Sequence, residues 1–152
     1  MTAQRQWTVR TFDQLNAIDV YKILQIRQVV FIVEQQCLYL DTDDWDQDTL
    51  HMLAWDGPEL VAYCRIFPPG VRWDDASIGR VIVAKSIRGT GTGNELMERA
   101  NSWCDEHYRS AIVISAQAHL QDFYRRHGYR TVSEEFPVDD IPHVDMRRDA
   151  IP

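Results

Sequence analysis

Positive charge is scarce in this sequence. Of the 152 residues, 16 are Lys or Arg against 23 Asp or Glu, which gives a formal net charge of −7. Lysine is the rarer base, with Lys22 and Lys85 as its two examples. A nucleic-acid partner requires clustered basic side chains, whereas the arginines here are scattered, so we expect no such partner. An acidic surface is compatible with a basic, amine-bearing partner.

Long apolar runs and closely spaced cysteines are also missing. No run approaches the ~20 apolar residues of a membrane span, and the first residues lack the apolar core of a secretory signal, so we expect a cytoplasmic protein without a membrane partner. Three cysteines, Cys37, Cys64 and Cys104, lie far apart and form no Cys-x-x-Cys pair, which predicts free thiols. The length predicts one domain, residues 1–152.

Glycine is concentrated in one short segment, Arg88-Gly89-Thr90-Gly91-Thr92-Gly93. An apolar run precedes it at 81–84, and residues 94–104 that follow carry apolar side chains at helical spacing. Such glycines let consecutive backbone N–H groups point into one concavity, and the helix N-terminus adds its positive dipole there. The segment therefore predicts a pyrophosphate site, with an ordinary glycine-rich loop as the alternative.

Two other phosphate-binding loops do not fit these residues. A dinucleotide fingerprint that starts at Gly91 needs a third glycine at position 96, where this chain has Leu96. A P-loop closes with Gly-Lys-Ser/Thr, whereas this loop closes with Gly93-Asn94-Glu95 and so lacks the hydroxyl that would hold Mg²⁺. These absences argue against a nucleotide-phosphate binder of either kind.

Hydrophobic periodicity predicts alternating strands and helices. We predict strands over 7–12, 50–55, 60–67, 77–83, 111–115, 129–136 and 143–148, and helices over 19–35 (with Asp19 as its cap), 94–107 and 120–127. The acidic segment 36–49 keeps no period and predicts a loop with one short turn, either solvated or forming a rim that attracts an amine. A helical crossover makes its flanking strands parallel, whereas hairpins make neighbours antiparallel. The expected fold is α/β, a mixed, mostly antiparallel sheet with a parallel central pair and helices on both faces.

The glycine segment resembles the pyrophosphate loop of the Gcn5-related N-acetyltransferases (GNAT), in the spacing Arg88-x-x-Gly91-x-Gly93 after a strand. A second similarity is the segment 124–129, which matches that family's Tyr-x-x-x-Gly-Phe/Tyr pattern. The ElaA-type acetyltransferases are similar over segments 31–35, 78–81, 116–120 and 141–143 as well. The resemblance covers most of the chain and implies a GNAT fold, acetyl-CoA as cosubstrate without a metal, and acetyl transfer to an amine.

The resemblance also implies roles for individual residues. Tyr124 corresponds to the tyrosine whose hydroxyl lies beside the CoA sulfur as general acid, and a core aromatic residue is the alternative. Gln117 stands where many relatives have an asparagine that holds the pantetheine arm. The thioester carbonyl is polarised by a backbone N–H of Val81, Ile82 or Val83 if that strand separates from its parallel neighbour.

The base that removes a proton from the amine is the open part of this assignment. Many relatives carry a glutamate on the strand before the loop, but segment 78–81 has no carboxylate. Glu34, His51, His119 and His143 are candidates, and we select Glu34 and His51. The amine is then expected to enter between segment 34–48 and the strand ends that carry His51 and His143.

Two questions remain open at the level of the sequence. A non-catalytic module that binds or senses acyl-CoA is the alternative to an enzyme, although such a module has no need of Tyr124. The acceptor is a small-molecule or peptide amine that the sequence does not identify, and a homodimer remains open.

Overall fold

The computed structural model describes residues 4–152, in which eight strands form one sheet. The strands are β1 (Gln6–Thr11), β2 (Leu50–Asp56), β3 (Glu59–Phe67), β4 (Ala76–Val83), β5 (Ile112–Gln117), β6 (Arg130–Thr131), β7 (Phe136–Val138) and β8 (Ile141–Arg148). The α-helices are α1 (Ala17–Arg27), α2 (Thr92–His107) and α3 (Gln121–Arg125), and α1 continues directly into a π-helix, Gln28–Glu34. The strand order is β1-β2-β3-β4-β5-β8-β6, with β7 also pairing with β8.

The predicted fold class is confirmed by this arrangement. β4 and β5 run parallel on either side of the crossover through α2, and the other neighbouring strands are antiparallel. β2 and β3 form a hairpin whose alternate residues pack in two separate cores, because successive side chains of a strand point to opposite faces. Met52 packs on the face covered by α2, whereas Leu53 packs with Ile23 of α1 on the other face.

The structure differs from the prediction in the cap of the first helix and in the continuity of one strand. The cap of α1 is Asn16 rather than Asp19: the Asp19 N–H donates to the Asn16 side chain at 2.8 Å, and the Asn16 N–H donates to the Asp19 carboxylate at 3.0 Å. This reciprocal capping box satisfies two backbone donors at the start of the helix. The single strand predicted over 129–136 is instead two short strands, β6 and β7, because the polar residues Ser133, Glu134 and Glu135 interrupt the apolar alternation.

The structural feature that creates the site is the separation of β4 from β5. Their parallel pairing covers two residue pairs, Ala76 with Ile112 and Ser77 with Val113. β5 continues to pair with β8 as far as Gln117, while β4 bends away after a one-residue bulge against β3. Arg80 lies in this bulge with φ of 51°, a left-handed conformation that is uncommon for a non-glycine residue. A wedge therefore opens between the second halves of the two strands.

No helix within residues 4–152 is both long and apolar enough to cross a membrane. Cys37, Cys64 and Cys104 are all free thiols, as predicted, and the last two are buried in the sheet and α2 core.

Candidate active site

A cavity of about 640 Å³ occupies the wedge between β4 and β5. Its wall includes most of the residues that the sequence selected, namely Glu34, Val81, Ile82, Val83, Arg88, Gln117 and Tyr124. The remaining loop residues, 89–93, lie beyond Arg88 and are not part of the wall. The π-helix contributes Val30, Phe31 and Glu34, so the wall joins elements that are far apart in the sequence.

The glycine loop ends in a helix N-terminus suited to an anion. Gly91 is the residue that precedes α2, with φ of 88°, and Gly89 has φ of 81°. The helical hydrogen bonding begins where the Glu95 N–H donates to the Gly91 carbonyl at 3.1 Å. The N–H groups of Thr92, Gly93 and Asn94 precede that bond and lack partners in the first turn, as at any helix start. Together with the helix dipole, they form a site that favours negative charge.

Tyr124 brings a phenol to the wall of the cavity from α3. Its side chain packs edge-on against Phe123 and Tyr129, and the residue is 7% exposed. The helix ends nearby, and Gly128, with φ of 92°, provides the left-handed turn that follows it. Burial raises the pKa of the Tyr124 hydroxyl to about 12, with a smaller contribution from Cys64. The hydroxyl therefore keeps its proton at neutral pH and is able to donate it.

Strand alternation indicates which amides of β4 face the wedge. The Ala84 N–H donates to the Val61 carbonyl of β3 at 2.8 Å. Because successive residues of a strand direct their N–H groups to opposite sides, the Val83 N–H points away from β3, toward β5. Ile82, which is paired with Tyr63, directs its N–H back to β3 by the same alternation. The Val83 amide is therefore the better placed of these two to donate into the cavity.

Glu34 and Arg88 form an ion pair at the edge of the cavity. The Arg88 Nη2 donates to the Glu34 Oε2 at 2.8 Å, and the Arg88 Nε donates to the Val83 carbonyl at 3.0 Å. The Glu34 side chain is 25% exposed and the Arg88 side chain is 43% exposed. The pair joins the end of the π-helix to the first residue of the glycine loop.

His51 does not lie where the sequence placed it. It is 1% exposed and is not part of the cavity wall. Its Nε2 donates to the Asp46 carbonyl at 2.9 Å, and its Nδ1 accepts from the Tyr63 hydroxyl at 2.7 Å. Burial lowers the pKa of His51, in keeping with a neutral ring whose two nitrogens are both bound. His119 and His143, in contrast, do contribute to the wall.

The acidic segment is the loop that the sequence predicted, with one short turn at Asp46–Asp48, but three of its carboxylates are not free in solvent and form an ion-pair network with arginines. Arg27, which is fully buried, binds Asp41 at 2.6 Å and Asp46 at 2.7 Å. Arg65 binds Asp46 at 3.0 Å, and its other guanidinium nitrogen binds Asp43. The bulged Arg80 binds Asp41 at 2.8 Å. The three carboxylates balance the charges of the three arginines, so they add little net negative charge for an incoming amine.

The network also positions cavity-lining residues that were not predicted from the sequence. Arg80, Asp43 and Tyr39 line the cavity, and the Tyr39 hydroxyl donates to Asp41 at 3.0 Å. The network holds Arg80 in its left-handed conformation and fixes segment 39–46 against β3 and β4. The only signal for it in the sequence was the coincidence of three arginines on apolar elements with a nearby run of aspartates.

Asp46→Asn is expected to lower the free energy of unfolding at pH 7 by about 3 kcal/mol, because two buried guanidinium groups lose a shared counterion. Burial acts to raise the pKa of Asp46, but hydrogen bonds and charge from Arg27 and Arg65 outweigh it, so the pKa is lowered. A lowered pKa in the folded state stabilises the fold above the unfolded value of about 4 and loses this contribution as the pH falls below it. Urea unfolding between pH 7 and pH 3 measures both effects.

The difference in the free energy of unfolding between wild type and Asp46→Asn is therefore expected to be largest at pH 7 and to become smaller at acid pH. Asp122→Asn serves as the control, since that side chain is 86% exposed in its pair with Arg125 and should leave stability unchanged. Equal stability of wild type and Asp46→Asn at pH 7 would contradict a structural role for the network.

Comparison with known proteins assigns the family. The sequence model of the acetyltransferase (GNAT) domain matches residues 17–150. Protein ElaA of Escherichia coli is 39% identical over 149 residues, which cover 96% of this chain and 97% of that protein. Its crystal structure superposes with a TM-score of 0.90 and covers 96% of this chain and all of that one. An acyl-CoA N-acyltransferase from Pseudomonas aeruginosa superposes with a TM-score of 0.92 at 40% identity, over 95% and 99% of the two chains.

The fold and the family model define an acyltransferase, and the chain belongs to the GNAT acetyltransferase family. Within that family it is similar to ElaA over nearly its full length. The recognition made from the sequence is thereby confirmed. Within the described residues, no three His, Cys, Asp or Glu side chains are arranged to hold a metal ion.

Proposed function

We propose that this protein transfers an acetyl group from acetyl-CoA to a primary amine of a small molecule or peptide. The observation that carries the proposal is the wedge between β4 and β5, which has Tyr124 and Arg88 in its wall and the first turn of α2 next to it, where Gly93 lies beside Val83. A thioester of a pyrophosphate-bearing thiol requires an anion site for the pyrophosphate and a proton donor for the departing thiolate. Acetyl-CoA supplies the activated acyl group and a leaving thiol.

The residues of the chain divide the chemistry between them. The loop 88–93 holds the pyrophosphate through backbone N–H groups, and Gln117 holds the pantetheine arm through its amide. The amide of Val83, with that of Val81 two residues earlier, donates to the thioester oxygen as negative charge develops there. The amine nitrogen bonds to the carbonyl carbon as the carbon–sulfur bond breaks, and Tyr124 gives its proton to the departing sulfur. The nitrogen loses one proton as it is acetylated, and that proton replaces the one that Tyr124 donated to the sulfur.

We assign the acceptor to the part of the cavity within reach of Glu34, His119 or His143. These titratable groups line the wall and have no part in the loop, whereas His51 is enclosed in the core and is not assigned as base. Glu34 meets the ammonium form of the acceptor and takes its proton directly or through water. Exposed apolar side chains, Leu40 and Val138, line the same cavity, which favours an amine attached to an apolar group over a polyamine.

The alternative is a module of the same fold that binds acyl-CoA without turnover. The buried, fully protonated Tyr124 at the cavity favours the enzyme, because binding alone needs no proton donor there. The two functions differ in one measurable respect, the release of free thiol.

The test is release of CoA thiol from acetyl-CoA in the presence of single amines. The panel should contain apolar amino acid amides, aralkyl amines, peptides with free N-termini, polyamines and aminoglycosides. We expect release that depends on the amine, is greatest for an apolar primary amine, and rises with pH as the free amine is formed. Binding of acetyl-CoA without release for any amine would favour the sensing module, and absence of binding would exclude both functions.

A further inference from the structure

The ion pair between Glu34 and Arg88 joins the two halves of the cavity. Arg88 opens the glycine loop, to which we assign the cofactor, while Glu34 ends the π-helix, to which we assign the acceptor. They are 54 positions apart in the sequence, yet their charged atoms lie 2.8 Å apart. Each side chain is therefore occupied by the other, although the proposed reaction needs Arg88 for the pyrophosphate and Glu34 for the amine.

A pyrophosphate and Glu34 compete for the same guanidinium. An ion pair between half-exposed side chains contributes little, about 0.2 to 1 kcal/mol, because water screens it. An arginine binds a phosphate through parallel, charge-assisted hydrogen bonds, and a doubly charged group attracts it more strongly than one carboxylate does. Glu34 also repels the phosphates as long as it stays beside the loop.

We infer that Glu34 exchanges partners on cofactor binding. Arg88 turns from Glu34 to the pyrophosphate, and the released carboxylate then binds the ammonium of the acceptor. This inference rests on the proposed function and adds to it the coupling between its two substrates. Since coupling between binding sites is reciprocal, CoA must raise the affinity for the amine by the factor by which the amine raises the affinity for CoA.

We expect CoA to bind more tightly when the negative charge of Glu34 is removed. Glu34→Gln removes the competing charge, so its affinity for CoA in isothermal titration should be about 1.4- to 5-fold higher than that of the wild type, which is the free energy of the ion pair converted to a ratio of dissociation constants. The gain should shrink in 1 M salt, where charges are screened within a few ångströms. A residue with a purely structural role would weaken CoA binding or leave it unchanged.

Three further variants isolate the exchange. Asp149→Asn removes one negative charge from an exposed pair with Arg130 that lies outside the cavity wall, and it should leave the CoA affinity unchanged. Arg88→Gln should weaken CoA binding, and adding Glu34→Gln to it should bring little further gain, because the contested guanidinium is already gone. Unfolding midpoints confirm that each variant is folded. Should Glu34→Gln fail to fold, Glu34→Ala removes the same charge and carries the same prediction.

The outcomes separate the inference from the proposed function. Equal or weaker CoA binding by Glu34→Gln, or an equal gain in the Arg88→Gln background, overturns the exchange while leaving the CoA site intact. Failure of the wild type to bind CoA overturns the proposed function itself, and the exchange with it.

Discussion

Gly91→Val is expected to weaken CoA binding by about 10- to 100-fold. Gly91 has φ of 88°, a conformation in which a β-branched residue is strained by about 1 to 3 kcal/mol. Apart from Gly91 and its two neighbours in the chain, no atom of residues 4–152 lies within 4 Å of a Cβ built at this position, so the added side chain meets open space. The loop must instead shift its backbone, which turns the N–H groups of the first turn of α2 away from the ligand. Isothermal titration with CoA measures the loss.

Two other glycine substitutions make this result specific. Gly57→Val places the same side chain at φ of 57° in the turn between β2 and β3, outside the cavity wall, so it should reduce stability but not CoA affinity. Gly91→Asn should lose less affinity than Gly91→Val, because asparagine tolerates the left-handed region. Unchanged CoA affinity in Gly91→Val would mean that the loop does not hold the pyrophosphate.

Tyr124→Phe is expected to lower kcat by about 10- to 1000-fold, on the scale of a lost general acid. The aromatic ring and its edge-on contacts with Phe123 and Tyr129 remain, so CoA affinity should hardly change. The pKa of about 12 predicts no inflection from Tyr124 in the neutral range, since the hydroxyl is protonated throughout it. Steady-state turnover, with CoA affinity measured separately, distinguishes a lost catalytic step from lost binding.

Tyr129→Phe is the matched control for this substitution. It removes a buried hydroxyl that donates to the Asn101 side chain at 2.7 Å, away from the cavity wall. It should therefore reduce stability by about 1 kcal/mol and leave kcat close to that of the wild type. Full turnover by Tyr124→Phe would show that the thiolate leaves unassisted or takes its proton from another group.

Local signals in the sequence predicted the elements that frame the site. The strands β2 and β3 were predicted to within one residue at each end, and the start of α2 was visible in the glycines before it. Parallel pairing of β4 and β5 followed from the crossover between them. Each of these features depends on residues that are neighbours in the sequence, which is why a pattern was enough to find it.

Features that depend on distant partners were not predictable in this way. The π-helix that brings Glu34 to the cavity has no signature in segment 28–34, whose apolar residues also fit an α-helix. The bulge at Arg80 depends on Asp41, and the ion pairs of the acidic segment depend on Arg27 and Arg65. His51 looked like a free base because nothing near it in sequence shows that Tyr63 binds its ring.

The central claim is that acetyl passes from CoA to an amine nitrogen in the wedge between β4 and β5. Its most direct test is the stoichiometry of the products formed with the best amine of the panel. The concentration of free thiol is measured by absorbance, and the mass of the acceptor is measured by mass spectrometry. We predict one acceptor heavier by a single acetyl group for each thiol released, and loss of both products together in Tyr124→Phe. Thiol release without an acetylated amine, or acetyl-CoA binding without either product, would contradict the claim.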